Sequence, residues 1–338
     1  MTSASGRRPL GIVVRWTLLI LAALIGSTLL STLLVLRCAP DIPAPPSPPA
    51  MVVDSIRDTT RDVQAEMRNV DYYVDPEVVL HIRSLRGQLE STREGKPPVF
   101  EDGTSYRMRI MSAEIMVDTT SLGLLINRYV FGYRGAPIRD LHLSVEGEDL
   151  IQKGKLGNVT FTIHSQVSLT PAGEIRLHPT DVKVLGFNAD GLMKKLGIEL
   201  DEMVKVQPNR GIRIEENDFL LDVAAILPPP RIRGRLSRVR LVPGGMVQTF
   251  GAGDSVPPRT AFGDSMPSPN FMYYHGASIQ FGKLTMSGTD LLIVDADPRD
   301  RFGFFLGRYH EQLVAGTHRT TPSDGLVVRM PDLADLGQ

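Results

Sequence analysis

The chain has 338 residues, 42% of them apolar and 22% charged, with 37 basic against 38 acidic side chains and a formal net charge of -1. That balance predicts a folded protein and argues against both a disordered chain and a general nucleic-acid binder, which needs an excess of Lys and Arg. Cys38 is the only cysteine, which excludes an intramolecular disulfide and any cysteine-based zinc site.

Residues 16–36, WTLLILAALIGSTLLSTLLVL, carry no charge. An unbroken helix of that length spans roughly 31 Å, against about 30 Å for the hydrocarbon core of a bilayer, so the pattern predicts one transmembrane crossing. Arg7, Arg8 and Arg15 precede it and no acid occurs before Asp41, which orients the N-terminus to the cytoplasm. The expected location is therefore that of a signal-anchored, single-pass membrane protein with its main domain periplasmic or otherwise extracytoplasmic. Residues 1–37 make the stub and anchor. The Pro-rich run 38–50 makes a stiff, extended spacer.

Two membrane-proximal helices are expected over 51–98. The first places Val52, Ile56, Val63, Met67 and Val70 on one face; the second starts at Asp75-Pro76 and carries Val78, Val79, Ile82, Leu85 and Leu89. An antiparallel β-rich core is expected over 99–241. It begins with the alternation of Tyr106, Met108 and Ile110, returns to helical spacing over 120–131, and alternates again through Leu141, Leu143 and Val145.

The clearest strand follows, with Val159, Phe161, Ile163, Val167 and Leu169 on one face and Thr160, Thr162, His164, Gln166, Ser168 and Thr170 on the other. The sequence Thr170-Pro171-Ala172-Gly173 turns it into a partner strand carrying Ile175 and Leu177. A short helix capped by Asn188 or Asp190 and ended by Gly197 is next, then strands at Ile212 and Ile214, from Phe219 to Ala225, and through RIRGRLSRVRL at 231–241. Residues 242–269 form a Pro/Gly-rich loop. A C-terminal α+β segment, 270–338, holds short strands and a helix through Phe302, Phe305, Leu306, Tyr309 and Leu313. The fold class is thus α+β: an N-terminal transmembrane helix, then a curved, mainly antiparallel β-sheet domain with flanking helices.

An antiparallel sheet with one uninterrupted apolar face must cover it, either by a filled core or by a groove that accepts a ligand. Periodicity leaves both open. In the groove reading, Val159, Phe161, Ile163, Val167, Leu169, Ile175 and Leu177 line a lipid site. Arg231, Arg233 and Arg235 stand on one face of the next charged strand, where they either meet an anionic head group or form a solvated face that discourages edge pairing.

The order of long amphipathic strand, turn, long strand and short helix in VTFTIHSQVSLTPAGEIRLHPTDVKVLGFNADGLMKKLGIEL resembles bacterial envelope proteins of the tubular lipid-binding (TULIP) and AsmA-like kinds, over about residues 105–241. That resemblance implies a protein held at a membrane by its N-terminal segment, with curved β-sheet wrapped around the chains of a lipid ligand. The competing reading is a non-enzymatic envelope scaffold with a fully packed core, whose partner is an envelope protein. A third, a metal-dependent phosphohydrolase, rests on Asp295 and Asp297, whose setting after LLIV resembles the nucleophile loop of HAD-type phosphatases. The seven histidines show no metal-binding spacing, and no G-x-S-x-G occurs. No catalytic residue, metal set or cofactor is assigned from the sequence.

Overall fold

Val63, Ala65 and Met67 alternate inward along the first strand, but Asn69 takes a positive φ of 49° and shifts the phase, so that Val70 and Tyr72 continue the same face. The strand, β1 (Val63–Asp75), turns through Pro76-Glu77 into β2 (Val78–Ser91), with Val63 opposite Leu89, Met67 opposite Leu85, Val70 opposite Ile82 and Tyr72 opposite Leu80. This hairpin occupies the stretch expected to be helical. A strand shows one face every second residue, and a skipped residue in mid-strand turns steps of two into a step of three. The series Val63, Met67, Val70 and Val78, Ile82, Leu85, Leu89 therefore imitate a helical period.

The computed structural model describes residues 62–184, 187–188, 206–251 and 268–336. All lie in the second of two compact units, Ile56–Gln338; none belongs to the first, Met1–Ser55. The α+β expectation is corrected, because 57% of the described residues are strand and 12% helix. The single-pass membrane reading is corrected as well: among the described residues no helix is long and apolar enough to cross a membrane. The longest, α1 (Thr119–Leu125) and α3 (Tyr309–Ala315), have seven residues each, or roughly 10 Å at 1.5 Å per residue. The apolar run 16–36, the spacer, the part of the first expected helix that carries Val52 and Ile56, and the body of the helix expected over 189–197 lie outside the described residues, whereas Asn188, one of the two caps expected for that helix, is described and lies in a strand.

After β3 (Tyr106–Asp118), the Asp118 carboxylate caps α1 by accepting from the Ser121 amide at 2.8 Å. A second sheet follows: β4 (Ile138–Glu146), β5 (Asp149–Leu156), β6 (Val159–Leu169), β7 (Ile175–Val184), β8 (Phe187–Asn188), β9 (Ile212–Glu215) and β10 (Asp218–Leu221). Its order is β4-β5-β6-β7-β10-β9, with β8 on β7. The hairpin read from sequence is here, at the expected residues.

A short helix, α2 (Val223–Ile226), replaces the end of the strand expected to reach Ala225, because Asp222 turns to accept from the Ala224 and Ala225 amides. The chain then rejoins the first sheet. The charged strand is broken at Gly234-Arg235 into β11 (Arg231–Arg233) and β12 (Leu236–Val242), and β12 pairs in a hairpin with β13 (Gly245–Phe250), inside the stretch expected to be loop. Next come β14 (Phe271–Gly276), the small β15 (Ile279–Phe281) and β16 (Leu284–Met286) pair, β17 (Thr289–Asp295), β18 (Phe302–Phe305), α3, β19 (Thr317–Thr320) and β20 (Leu326–Met330). Phe302 and Phe305, expected on a helix, belong to β18. The first sheet runs β12-β13-β3-β2-β1-β14-β17-β20-β19, with β11 parallel on β3 and β18 parallel on β1. Both sheets bury apolar faces in one shared core.

Candidate functional site

The apolar face of β6 and β7 is packed shut. Phe161, Ile163, Ile175 and Leu177 are buried, Val159, Val167 and Leu169 half-buried. The Phe161 ring lies across Gly154, where a Cβ would stand 2.9 Å from the ring edge. Facing residues include Leu80, Val117, Leu122, Leu125 and Met246 of the first sheet and α1, and the voids left between the layers are about 40 and about 20 Å³. One polar pair sits within this layer, Gln152 Nε2 donating to Ser165 Oγ at 2.7 Å.

Open space lies instead against the first sheet, in a cavity of about 380 Å³. Three long strands make its floor: Met67, Tyr72 and Val74 from β1, Leu80, Ile82 and Leu85 from β2, Tyr106, Met108, Ile110 and Ile115 from β3. Two short parallel strands flank it, β11 through Ile232 and β18 through Phe304 and Phe305. The rest of the rim is Glu101, Gly103 and Thr104 on one loop and Leu227 to Pro230 on another. These rims touch: a Cβ on Gly103 would be 2.9 Å from the Pro230 nitrogen. Arg231 holds the Leu227 side by donating Nη1 to the Ala225 and Leu227 carbonyls at 3.0 and 2.7 Å.

Polar atoms in the cavity are few and mostly phenolic. Tyr106 donates its hydroxyl to the Phe100 carbonyl at 3.2 Å, and Tyr274 points its hydroxyl at the Met272 sulfur at 3.9 Å. Tyr72, stacked obliquely on Phe304 at 5.9 Å, has no hydrogen-bond partner for its hydroxyl among the described residues. Burial pushes all three phenols above their ordinary value, and the charge of a Tyr72 phenolate would raise the other two further. These groups are neutral donors throughout the physiological range.

The arginines expected to meet a head group stand apart from this space. Arg231 and Arg233 alternate with the cavity-lining Ile232 and so project to the opposite side of β11, in register with Arg107 and Arg109 of β3. Arg235, in the break between strands, donates to the Pro171 carbonyl at 2.6 Å. The structure thus brings the seven apolar residues together in one layer and puts Arg231 and Arg233 on one side of β11, while Arg235 reaches the turn between β6 and β7, and none of them lines the cavity.

A cluster of carboxylates lies elsewhere. Oxygens of Asp295, Asp300 and Asp332 fall within 4.8 Å of one another, the first and last being buried, an arrangement with the hard oxygen donors a divalent cation takes. Asn270 donates to Asp295 at 2.8 Å, and the Gly303 amide donates to Asp332. Burial, followed by the neighbouring acids, pushes Asp332 up to about 7. Asp297, paired with Asp295 in the sequence reading, is instead chelated by Arg299, which holds it down to about 2.

No family model, curated protein or solved structure matches this chain. The cavity had no signature in the sequence, since its walls come from segments near 67–115, 227–232, 274 and 304–307.

Proposed function

We propose that this protein binds an apolar small molecule in the cavity floored by β1, β2 and β3, and performs no chemistry on it. The observation that carries this reading is the cavity itself: about 380 Å³ of space, walled by aliphatic and aromatic side chains with a few phenols. Small-molecule sites are of this kind and of roughly 300–1,000 Å³, whereas close-packed interiors rarely leave voids much larger than a water. Lipid-like ligands fit that lining, as the resemblance to lipid-binding envelope proteins implies, but the site is on the sheet opposite to the hairpin that suggested it.

The test is fluorescence of the neutral probe N-phenyl-1-naphthylamine with the full chain. Saturable enhancement is expected, and Ile82→Trp, which places an indole in the cavity, should weaken binding at least tenfold without lowering the melting temperature. Met108→Phe, a smaller intrusion from β3, should act in the same direction. Absence of saturable binding to a folded protein defeats the proposal. It would favour the second reading, a scaffold, which draws support from the filled layer between the sheets.

A further inference from the structure

The cavity's polar inventory narrows the ligand class, an inference that rests on the ligand-binding reading above. Among the described residues no Lys, Arg or His lines the cavity, and Glu101 is the only lining side chain with a carboxyl group. An acyl carboxylate or a phosphate drawn into this space would lose its water without gaining a cation, and desolvating an unpaired charge costs several kcal/mol or more. Glu101 adds a like charge against it. Its Oε2 already accepts from the Gly282 amide at 3.2 Å.

Neutral hydrogen-bonding groups meet a different environment. The hydroxyl of Tyr72 is a donor with no protein acceptor among the described residues, and it sits on the cavity floor beside Phe304. The phenols of Tyr106 and Tyr274 direct their own protons to Phe100 and Met272, but each oxygen retains a lone pair. A ligand oxygen placed among them could accept from Tyr72 and, if it is a hydroxyl, donate to either neighbour. Burial raises these phenols above their ordinary value, so that the donor is present at the pH of the assay below.

We propose that the cavity selects an uncharged amphiphile, a long apolar body ending in one hydroxyl or carbonyl oxygen that takes its hydrogen bond from Tyr72, and rejects acyl anions and phosphorylated lipids. The oxygen end seats on the β1 side of the floor, and the apolar body runs along β2 and β3 toward Ile232.

Competition against the bound naphthylamine probe at pH 8, using dodecanol, dodecanoate and dodecylamine, separates the alternatives with one chain length. Dodecanol should displace the probe, and dodecanoate should be at least tenfold weaker. Dodecylamine should also be weaker, since an ammonium is a donor with no lone pair to accept from Tyr72 and loses its water on an apolar floor. Tyr72→Phe removes only an unpartnered hydroxyl, so the variant should melt as the parent does and bind dodecanol about three- to tenfold less tightly once the competition is corrected for the variant's own probe affinity, the net worth of one hydrogen bond. The inference is overturned if dodecanoate or dodecylamine binds as well as dodecanol, if dodecanol fails to displace the probe, or if Tyr72→Phe leaves dodecanol unchanged. Failure of the probe itself to bind defeats the ligand-binding reading instead, so the two failures are distinct.

Discussion

Asp332 is buried beside two other carboxylates, and no basic side chain pairs with Asp295, Asp300 or Asp332 among the described residues. Every charged group that shifts it, Asp295, Asp300 and Asp335, is acidic, while the Gly303 amide alone pulls the other way. Its folded value near 7 stands above the unfolded 3.8, so between those pH values the folded chain holds a proton that the unfolded chain has released. Stability from this group is therefore full below about pH 4 and is lost as pH rises through 7. With a chelator present to exclude adventitious cations, the protein should lose on the order of 2 kcal/mol between pH 4.5 and 8 from this source, after discounting for solvent access. Asp332→Asn keeps the oxygen that accepts from Gly303 and removes the charge. It should raise the melting temperature by a few degrees at pH 8 and hardly at all at pH 4.5. Equal shifts at both pH values would mean that the carboxyl titrates normally.

The elements divide the same way, into those that a local pattern specifies and those that need their partners. Strands β6 and β7 were legible because alternation runs almost unbroken from Val159 to Leu169 and a Thr-Pro-Ala-Gly turn follows. For β1 and β2 the pattern misled, since the interruptions at Asn69 and between Ile82 and Ser84 change the spacing of apolar residues to that of a helix. Nor could alternation say which apolar face remains open: that depends on what packs on it, and α1 and the inner residues of β13 fill the space over β6 and β7. Phe161 consequently belongs to structure and not to ligand contact. Phe161→Ala should destabilise by about 3–5 kcal/mol, as large-to-small changes in packed cores do, measured by chemical denaturation. Probe affinity at a temperature where the variant is folded should stay within about twofold of the parent. A loss of binding beyond that, in a variant still folded, would put the ligand between the sheets after all.

At the scale of the whole described unit, the two sheets share one hydrophobic core, with Leu80 and Ile115 touching both the cavity and the inter-sheet layer. A ligand that binds only the folded state stabilises by RT ln(1 + [L]/Kd), about 2.7 kcal/mol at a free concentration of 100 Kd. If the shared core makes unfolding all-or-none, that stabilisation has to be felt equally far from the cavity. Amides of β6 and β7, which contact no ligand, should then exchange with solvent about 100-fold more slowly at 100 Kd, the same factor as amides of β2 and β3. Hydrogen exchange read by mass spectrometry on peptides from each sheet measures both factors in one experiment. Protection confined to β1, β2 and β3 would show that the sheets open separately, with Leu80 and Ile115 forming a seam between two cooperative units instead of the middle of one. Protection in both sheets that disappears in Ile82→Trp would tie the global effect to the cavity.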